Sequence, residues 1–198
     1  MEISTIITWV IIAGLFLYLV SIFNQLVSLK NRFQNAFSQI DIQLKRRYDL
    51  IPSLIETAKG YMKHEKETLE NVIAARNGAA KGLEKASSNP GDASAMNILA
   101  QAENKLSSTL GQFNLVMEDY PDLKANQNMM QLSEELSSTE NRIAFARQAF
   151  NDSVMEYNTY RQSFPQNILS GLFGHAKDAN LLDFADQTEI QEAPKVSF

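Results

Sequence analysis

Apolar residues fill the first part of the chain without interruption. Between Ile3 and Leu29 the sequence contains no charged side chain. A helix crosses the hydrocarbon core of a bilayer with about 20 apolar residues. The pattern therefore predicts a transmembrane anchor over residues 1–29. Its expected lipid-facing side chains are Ile6, Trp9, Ile12, Phe16, Leu19 and Phe23.

A cleaved signal peptide is the alternative interpretation of this apolar segment. Signal peptides begin with a basic region and end in a small-residue cleavage site. The only early charged side chain here is Glu2, and residues 17–20 offer no small-residue site. We therefore interpret the segment as an uncleaved anchor.

Basic residues collect on one side of the expected span. The nearest are Lys30, Arg32, Lys45, Arg46 and Arg47, whereas the preceding side carries only the α-amino group. Lys and Arg close to a span are retained in the cytoplasm. The sequence thus predicts a single-pass membrane protein with a short N-terminus outside the cell and everything after Lys30 in the cytoplasm.

Apolar residues continue beyond the anchor with a spacing of three and four. This spacing is typical of long helices that pack at small angles, as in coiled coils. It predicts one helix that leaves the membrane and continues to about Gly60. Pro52 lies inside it, and we expect a kink there rather than a break. The apolar stripe comprises Phe33, Phe37, Ile40, Leu44, Tyr48, Ile51, Ile55, Ala58 and Met62.

Three further helices follow, over about residues 65–85, 93–118 and 121–164, and no strand-like alternation is sustained. Turn-forming residues separate them, the clearest at residues 87–92, after which Asp92 or Ser94 can cap the next helix. Short connections between long helices imply antiparallel neighbours. The predicted fold is all-α: an N-terminal transmembrane helix that continues into an antiparallel up-down four-helix bundle over residues 30–164.

Residues 165–198 form a separate C-terminal segment in this interpretation. Its first part is apolar but too short to span a bilayer. It either dips into the membrane interface or covers the end of the bundle, through Ile168, Leu169, Leu172 and Phe173. From Ala176 onward we expect a mobile acidic tail, in which Leu181, Leu182 and Phe184 form a small apolar cluster able to dock.

Composition and charge exclude several function classes. A net charge of −5 argues against nucleic-acid binding, and the absence of cysteine removes thiol chemistry. His64 and His175 lie more than 100 residues apart, which does not suit a metal site. No phosphate loop or nucleophile–base pair is present. We predict no cofactor, no metal and no enzymatic activity.

Three charged residues lie on apolar stripes where a plain core would carry leucine: Arg76, Glu140 and Arg147. We interpret them as candidate interhelical polar contacts that fix the register of the helices. A site for a ligand or a neighbouring subunit is the alternative. We assign Lys45, Arg46 and Arg47 to a solvated face, and the three tyrosines Tyr48, Tyr61 and Tyr120 to the far end of the bundle.

Several short motifs occur in a fixed order along the chain. They include RYDLIP at residues 47–52, EDYPDLKAN at 118–126, ENRI at 140–143 and LFG at 172–174. Their order resembles that of the LemA family, from the anchor to about Gly174. One departure is Phe150, where tyrosine is more usual, and we expect a conservative change in the core.

The resemblance implies a membrane-anchored bacterial protein with an antiparallel helical bundle and without an established activity or cofactor. Two roles follow as hypotheses. The first is a structural scaffold that forms homo-oligomers in the lipid bilayer, through apolar surface near Leu26, Leu29 and Phe33. The second is an adaptor that recruits a protein partner through its bundle or its acidic tail.

Overall fold

The computed structural model describes residues 2–184, and every regular element within that range is helical. The predicted all-α class, with a long apolar helix at the N-terminus, is confirmed. The elements are α1 (Ile3–Lys59), α2 (Lys66–Ser88), α3 (Ala93–Met117), α4 (Pro121–Lys124), α5 (Gln127–Gln162) and α6 (Gln166–Leu169).

Helix α1 is a single element of 57 residues, or about 85 Å of rod. Its first residues, 3–21, are exposed on all sides, and Ile22 is the first buried one. The six expected anchor residues are 38–65% exposed. By length and composition α1 qualifies as a membrane-crossing helix. From Ile22 onward, other parts of the chain cover one face of α1. The fully exposed segment therefore ends before Leu29, the expected end of the anchor.

Helix α5 packs antiparallel along α1 through aromatic side chains. The ring centroids of Phe33 and Tyr157 lie 5.3 Å apart, and those of Phe37 and Phe150 lie 5.4 Å apart. Later residues of one helix thus meet earlier residues of the other. Phe150 is fully buried, in agreement with a core role at this position.

Helices α2 and α3 form a hairpin that packs on α1 through α2. The hairpin turn ends at Asp92, whose carboxylate accepts a hydrogen bond of 3.0 Å from the amide of Ala95 and caps α3. In the turn, Gly91 has a φ of +87°, which disfavours residues with a Cβ. An added Cβ would lie 3.0 Å from the Cβ of Ala179 and 3.2 Å from the ring of Phe33.

We expect Gly91→Ala to lower the free energy of unfolding by about 1–3 kcal/mol, because it combines positive φ with a close approach of two chain segments. Urea unfolding followed by circular dichroism measures it. Gly78→Ala is the control, since its Cβ would meet no neighbour within 4 Å and the site is helical. The control should be neutral or stabilising, and equal losses in both variants would contradict the explanation.

The region expected as one helix over residues 121–164 is divided in two. Helix α4 ends at Lys124, and the side chain of Asn126 then caps α5 by accepting a hydrogen bond of 3.1 Å from the amide of Met129. Helix α5 ends at Gln162, so Phe164 does not continue the buried stripe but is exposed. Because the side chain of Asn126 satisfies the amide of Met129, α5 begins at Gln127 as a separate helix and does not continue the backbone of α4.

Candidate functional site: a buried charge cluster and a docked strap

Arg47 is the centre of a charge cluster inside the bundle. It is 3% exposed, and its guanidinium forms an ion pair with Glu103 of α3, which is 2% exposed. Its Nη1 atom also donates to both carboxylate oxygens of Glu140 on α5, at 2.9 and 3.0 Å. One cation of α1 thereby binds two carboxylates from two other helices. The arrangement fixes the axial position of all three.

Tyr48, the next residue, extends the cluster. Its hydroxyl donates a hydrogen bond to the carboxylate of Glu103. Burial raises the pKa of Tyr48, and the nearby guanidinium groups of Arg47 and Arg76 only partly oppose this effect. The phenol therefore remains protonated and continues to donate at physiological pH.

Arg76 of α2 compensates for the proline inside α1. Pro52 has no N–H, so the carbonyl of Tyr48, four residues earlier, lacks its usual helical partner. The Nε atom of Arg76 donates to that carbonyl at 2.9 Å. The guanidinium also lies 3.8 Å from the exposed Asp49. This side chain explains how α1 passes through Pro52 as one helix rather than breaking there.

The structure places the three sequence-predicted polar residues in different contacts rather than together. Glu140 pairs with Arg47, Arg76 binds the backbone of Tyr48, and the guanidinium of Arg147 lies 4.7 Å from the ring centre of Phe184. A recess of about 260 Å³ between α3 and α5 is lined by Arg47, Glu140, Arg147 and Phe184, whereas Arg76 lies outside it.

Sequence reasoning missed the roles of the three buried members of the cluster, Arg47, Tyr48 and Glu103. Arg47 is not on a solvated face, and Tyr48, which contacts Glu103 in the middle of α3, is not at the far end of the bundle. The signal was present, because Arg47 follows Leu44 by three residues and precedes Ile51 by four. Glu103 similarly occupies the stripe of α3 between Leu99 and Leu106.

A second feature is an extended segment, residues 176–184, which we call the strap. It runs antiparallel to α5 and is held by two asparagine side chains. The amide of Asn158 donates to the carbonyl of Ala179 at 2.8 Å and accepts from its N–H at 2.9 Å. Asn151 binds the backbone of Leu182 in the same way, at 3.1 and 2.9 Å. The two asparagines lie two helical turns apart and recognise backbone groups only.

Side chains of the strap add further contacts. Burial alone would raise the pKa of Asp178, but hydrogen bonds from Arg161 and Gln162 outweigh it and hold that pKa below its usual value. The N–H of Asn180 donates to the carbonyl of Gly91 at 2.8 Å. The apolar side chains Ala179, Leu182 and Phe184 are buried. Residues 176–184 are thus docked rather than a mobile tail, and the remainder of the expected tail lies outside the described residues.

His175 closes the turn that leads into the strap. Gly174 before it has a φ of +77°, and the N–H of His175 donates to the carbonyl of Ser170 at 2.8 Å. Its Nδ1 atom lies 3.0 Å from the hydroxyl of Tyr157. Burial lowers the pKa of His175, and the charge of Lys30 lowers it further.

We expect the folded state to lose stability when the pH falls from 7.5 to 5.5. The unfolded chain holds the His175 proton from about pH 6.5 downward, whereas the folded pKa is lower, so protons favour unfolding below pH 6.5. Urea unfolding at both pH values measures the loss. His175→Asn should reduce the difference, while His64→Asn, at an exposed position, should leave it unchanged. An unaltered difference in His175→Asn would contradict this assignment.

Comparison with known proteins identifies the family of the chain. A sequence model of the LemA family matches residues 36–198, which include the charge cluster and the strap and extend beyond the motifs ending near Gly174. Protein LemA of Metamycoplasma hominis is 27% identical to this chain over 147 residues, or 74% of the chain. The chain spans 63% of the length of that relative. Since the family match covers most of its residues, the chain belongs to the LemA family.

Proposed function

We propose that the chain is a structural scaffold at the bacterial inner membrane, in which a bundle anchored in the bilayer assembles with further copies of itself. The continuity of α1 carries this proposal. One helix contains both the exposed apolar segment and the buried face against which the rest of the bundle packs. Arg76 supplies the hydrogen bond that the carbonyl of Tyr48 lacks because of Pro52. A rod of this kind holds the bundle at a fixed distance from the membrane.

The proposal includes an orientation, with the N-terminus outside and the bundle in the cytoplasm. Lys30 and Arg32 support it, because they are the first charges after the apolar segment. The chain contains no cysteine, so a maleimide reacts only with the single cysteine that is introduced. In intact cells, a membrane-impermeant maleimide should label Glu2→Cys and should label Leu115→Cys only after permeabilisation. The reverse pattern would contradict the orientation.

The apolar surface first expected to drive self-association is not available for it. Leu26, Leu29 and Phe33 are buried within the chain itself. Two other large apolar side chains, Ile42 of α1 and Phe145 of α5, are exposed on the bundle. Both lie between the Phe37–Phe150 ring contact and the Arg47–Glu140 ion pair, hence at a similar level along the rod. They are the candidate contact between copies.

Mass photometry in mild detergent tests the assembly. The expected masses are multiples of the 22.3 kDa chain. Ile42→Glu combined with Phe145→Glu should shift the distribution toward the monomer, because buried unpaired carboxylates oppose association. Gln148→Glu, at an exposed polar position of the same helix, is the matched control. A parent chain that is monomeric at every concentration would rule out the scaffold.

An adaptor is the second candidate, favoured by a recess of about 700 Å³ between α1 and α2 at the end of the bundle far from the anchor. Its lining combines apolar side chains with three lysines and one glutamate: Ile55, Met62, Leu69 and Ile73, with Lys59, Lys63, Lys66 and Glu70. This chemistry suits an acidic amphipathic helix of a partner protein.

Two variants separate the adaptor from the scaffold. Lys63→Glu with Lys66→Glu should release a partner that cross-links to the parent chain, whereas Lys81→Glu, exposed on α2, should retain it. Removal of residues 185–198 tests the tail. The truncation begins after Phe184 because the strap before it is part of the bundle. Retention of every partner by both variants would count against recruitment through these surfaces.

A further inference from the structure

We propose that residues 164–174 form a second membrane contact, a wedge that enters the lipid interface beside the anchor. The proposal rests on the anchor itself being in the bilayer, as argued above. It assigns Phe164, Ile168 and Leu172 to direct contact with lipid.

The wedge has one side turned toward protein and one side turned away. Leu169 and Phe173 pack against the core, and the rings of Phe173 and Phe23 meet edge to face with centroids 5.5 Å apart. On the other side Phe164, Ile168 and Leu172 are 79%, 64% and 80% exposed. Three large apolar side chains of this short segment thus lack cover from the rest of the chain.

The position of the wedge along α1 matches the edge of a bilayer core. Residues 3–22 of α1 span about 30 Å, the thickness of the hydrocarbon region. Phe23, which touches the wedge, follows immediately. The α2–α3 turn reaches only the level of Phe33, about 15 Å further from the N-terminus. Of the described bundle, the wedge is therefore the part that reaches the membrane surface.

The distribution of charge agrees with this placement. Residues 162–176 contain no Asp, Glu, Lys or Arg. Just below, Lys30 and Lys177 line a recess next to His175, together with Asp92 and Asp178. Charged side chains therefore begin only below the wedge, and an uncharged apolar tip is typical of segments that lie in the membrane interface.

A lipid occupant explains the patch better than a second copy of the chain. Phe23, on which Phe173 packs, is itself 42% exposed and belongs to the apolar surface of the anchor. The patch thus continues a surface whose surroundings, in the proposed function, are acyl chains. A second copy is a distinct outcome of the experiment below.

Spin labels on single cysteines test the wedge in full-length protein in nanodiscs of phosphatidylcholine and phosphatidylglycerol. Labels at Ile168→Cys and Leu172→Cys should collide with oxygen several-fold more than with a water-soluble nickel chelate, as should a label at Phe16→Cys. A label at Leu115→Cys is the matched control, since that apolar residue is 70% exposed but lies near the far end of α3. It should show the opposite preference.

Each departure from this pattern has a separate meaning. Oxygen preference at residue 16 with nickel preference at 168 and 172 would overturn the wedge and leave the anchor intact. Low collision with both reagents at 168 and 172 would indicate cover by protein and also overturn it. Nickel preference at residue 16 would overturn the anchor and the proposed function. In a Trp9→Phe background, Leu172→Trp should be quenched most by lipids brominated near the headgroup, and absence of quenching would contradict the wedge.

Discussion

Glu103→Ala should lower the free energy of unfolding by about 3–5 kcal/mol, the largest loss expected of any single polar substitution in this bundle. The change leaves the guanidinium of Arg47 buried without its most enclosed counter-charge, and it removes the acceptor of the Tyr48 hydroxyl. For a domain of this size the melting temperature should fall by about 6–20 °C. Urea and thermal unfolding, both followed by circular dichroism, measure the effect.

Glu140→Ala should cost less, about 1 kcal/mol, although Glu140 binds the same guanidinium. Its side chain is 46% exposed, so water screens the ion pair and solvates the remaining charge. Glu134→Ala, at an exposed position of α5, is the control and should have almost no effect. A loss in Glu103→Ala no larger than in Glu140→Ala would show that burial does not determine the cost.

A double variant distinguishes an unpaired charge from simple loss of packing. Arg47→Met with Glu103→Leu removes both charges and retains side-chain volume, and such replacements are often neutral or stabilising. We expect it to recover the part of the Glu103→Ala loss that comes from the unpaired guanidinium, but not the part that comes from the Tyr48 hydroxyl, which still lacks its acceptor. If it does so and the bundle is then less well ordered by NMR, the cluster contributes register rather than stability.

The helical architecture was predictable because its cause is local and periodic. The stripe from Phe33 to Ile55 repeats every three to four residues, and Asp92 gave a recognisable cap. The same periodicity predicted a helix that continues to Phe164, whereas α5 ends at Gln162. There the side-chain and backbone contacts of the turn decided the end of α5, and the apolar pattern carried no information about them.

The charge cluster was predictable only in part. A charged residue on an apolar stripe signals a buried polar contact, and this reasoning reached Glu140 but passed over Arg47, which stands in a run of three basic residues. A charged residue on an apolar stripe does not reveal its partner, because the pairing depends on the rotation of each helix about its own axis. The link between Pro52 and Arg76 joins a missing N–H to a side chain 24 positions away, and it required the structure.

The strap was the least predictable element. An extended segment held through its backbone has no side-chain periodicity, and its asparagine partners lie 31 and 21 residues away. The apolar cluster at Leu181, Leu182 and Phe184 suggested docking but not its place. Only Leu182 and Phe184 are buried, since alternate residues of an extended chain face opposite sides.

Asn151→Ala combined with Asn158→Ala should release the strap from α5. Each asparagine satisfies one N–H and one C=O of the strap, so the pair accounts for four hydrogen bonds. Loss of both should cost about 2–4 kcal/mol, at 0.5–1.5 kcal/mol per hydrogen bond with part of the deficit repaid by water. Because released segments exchange from an open state, amide exchange in residues 176–184 should accelerate by at least tenfold.

Hydrogen exchange followed by mass spectrometry separates this local release from general loosening. In the double variant, exchange should accelerate in the strap and in the α2–α3 turn, where Asn180 binds Gly91, while the α1 segment around Arg47 should remain protected. Asn141→Ala, at an exposed position of the same helix, should exchange like the parent. Uniform acceleration along the chain would mean that the strap belongs to the cooperative core. No acceleration would mean that the burial of Leu182 and Phe184, rather than backbone recognition by the asparagines, holds the strap in place.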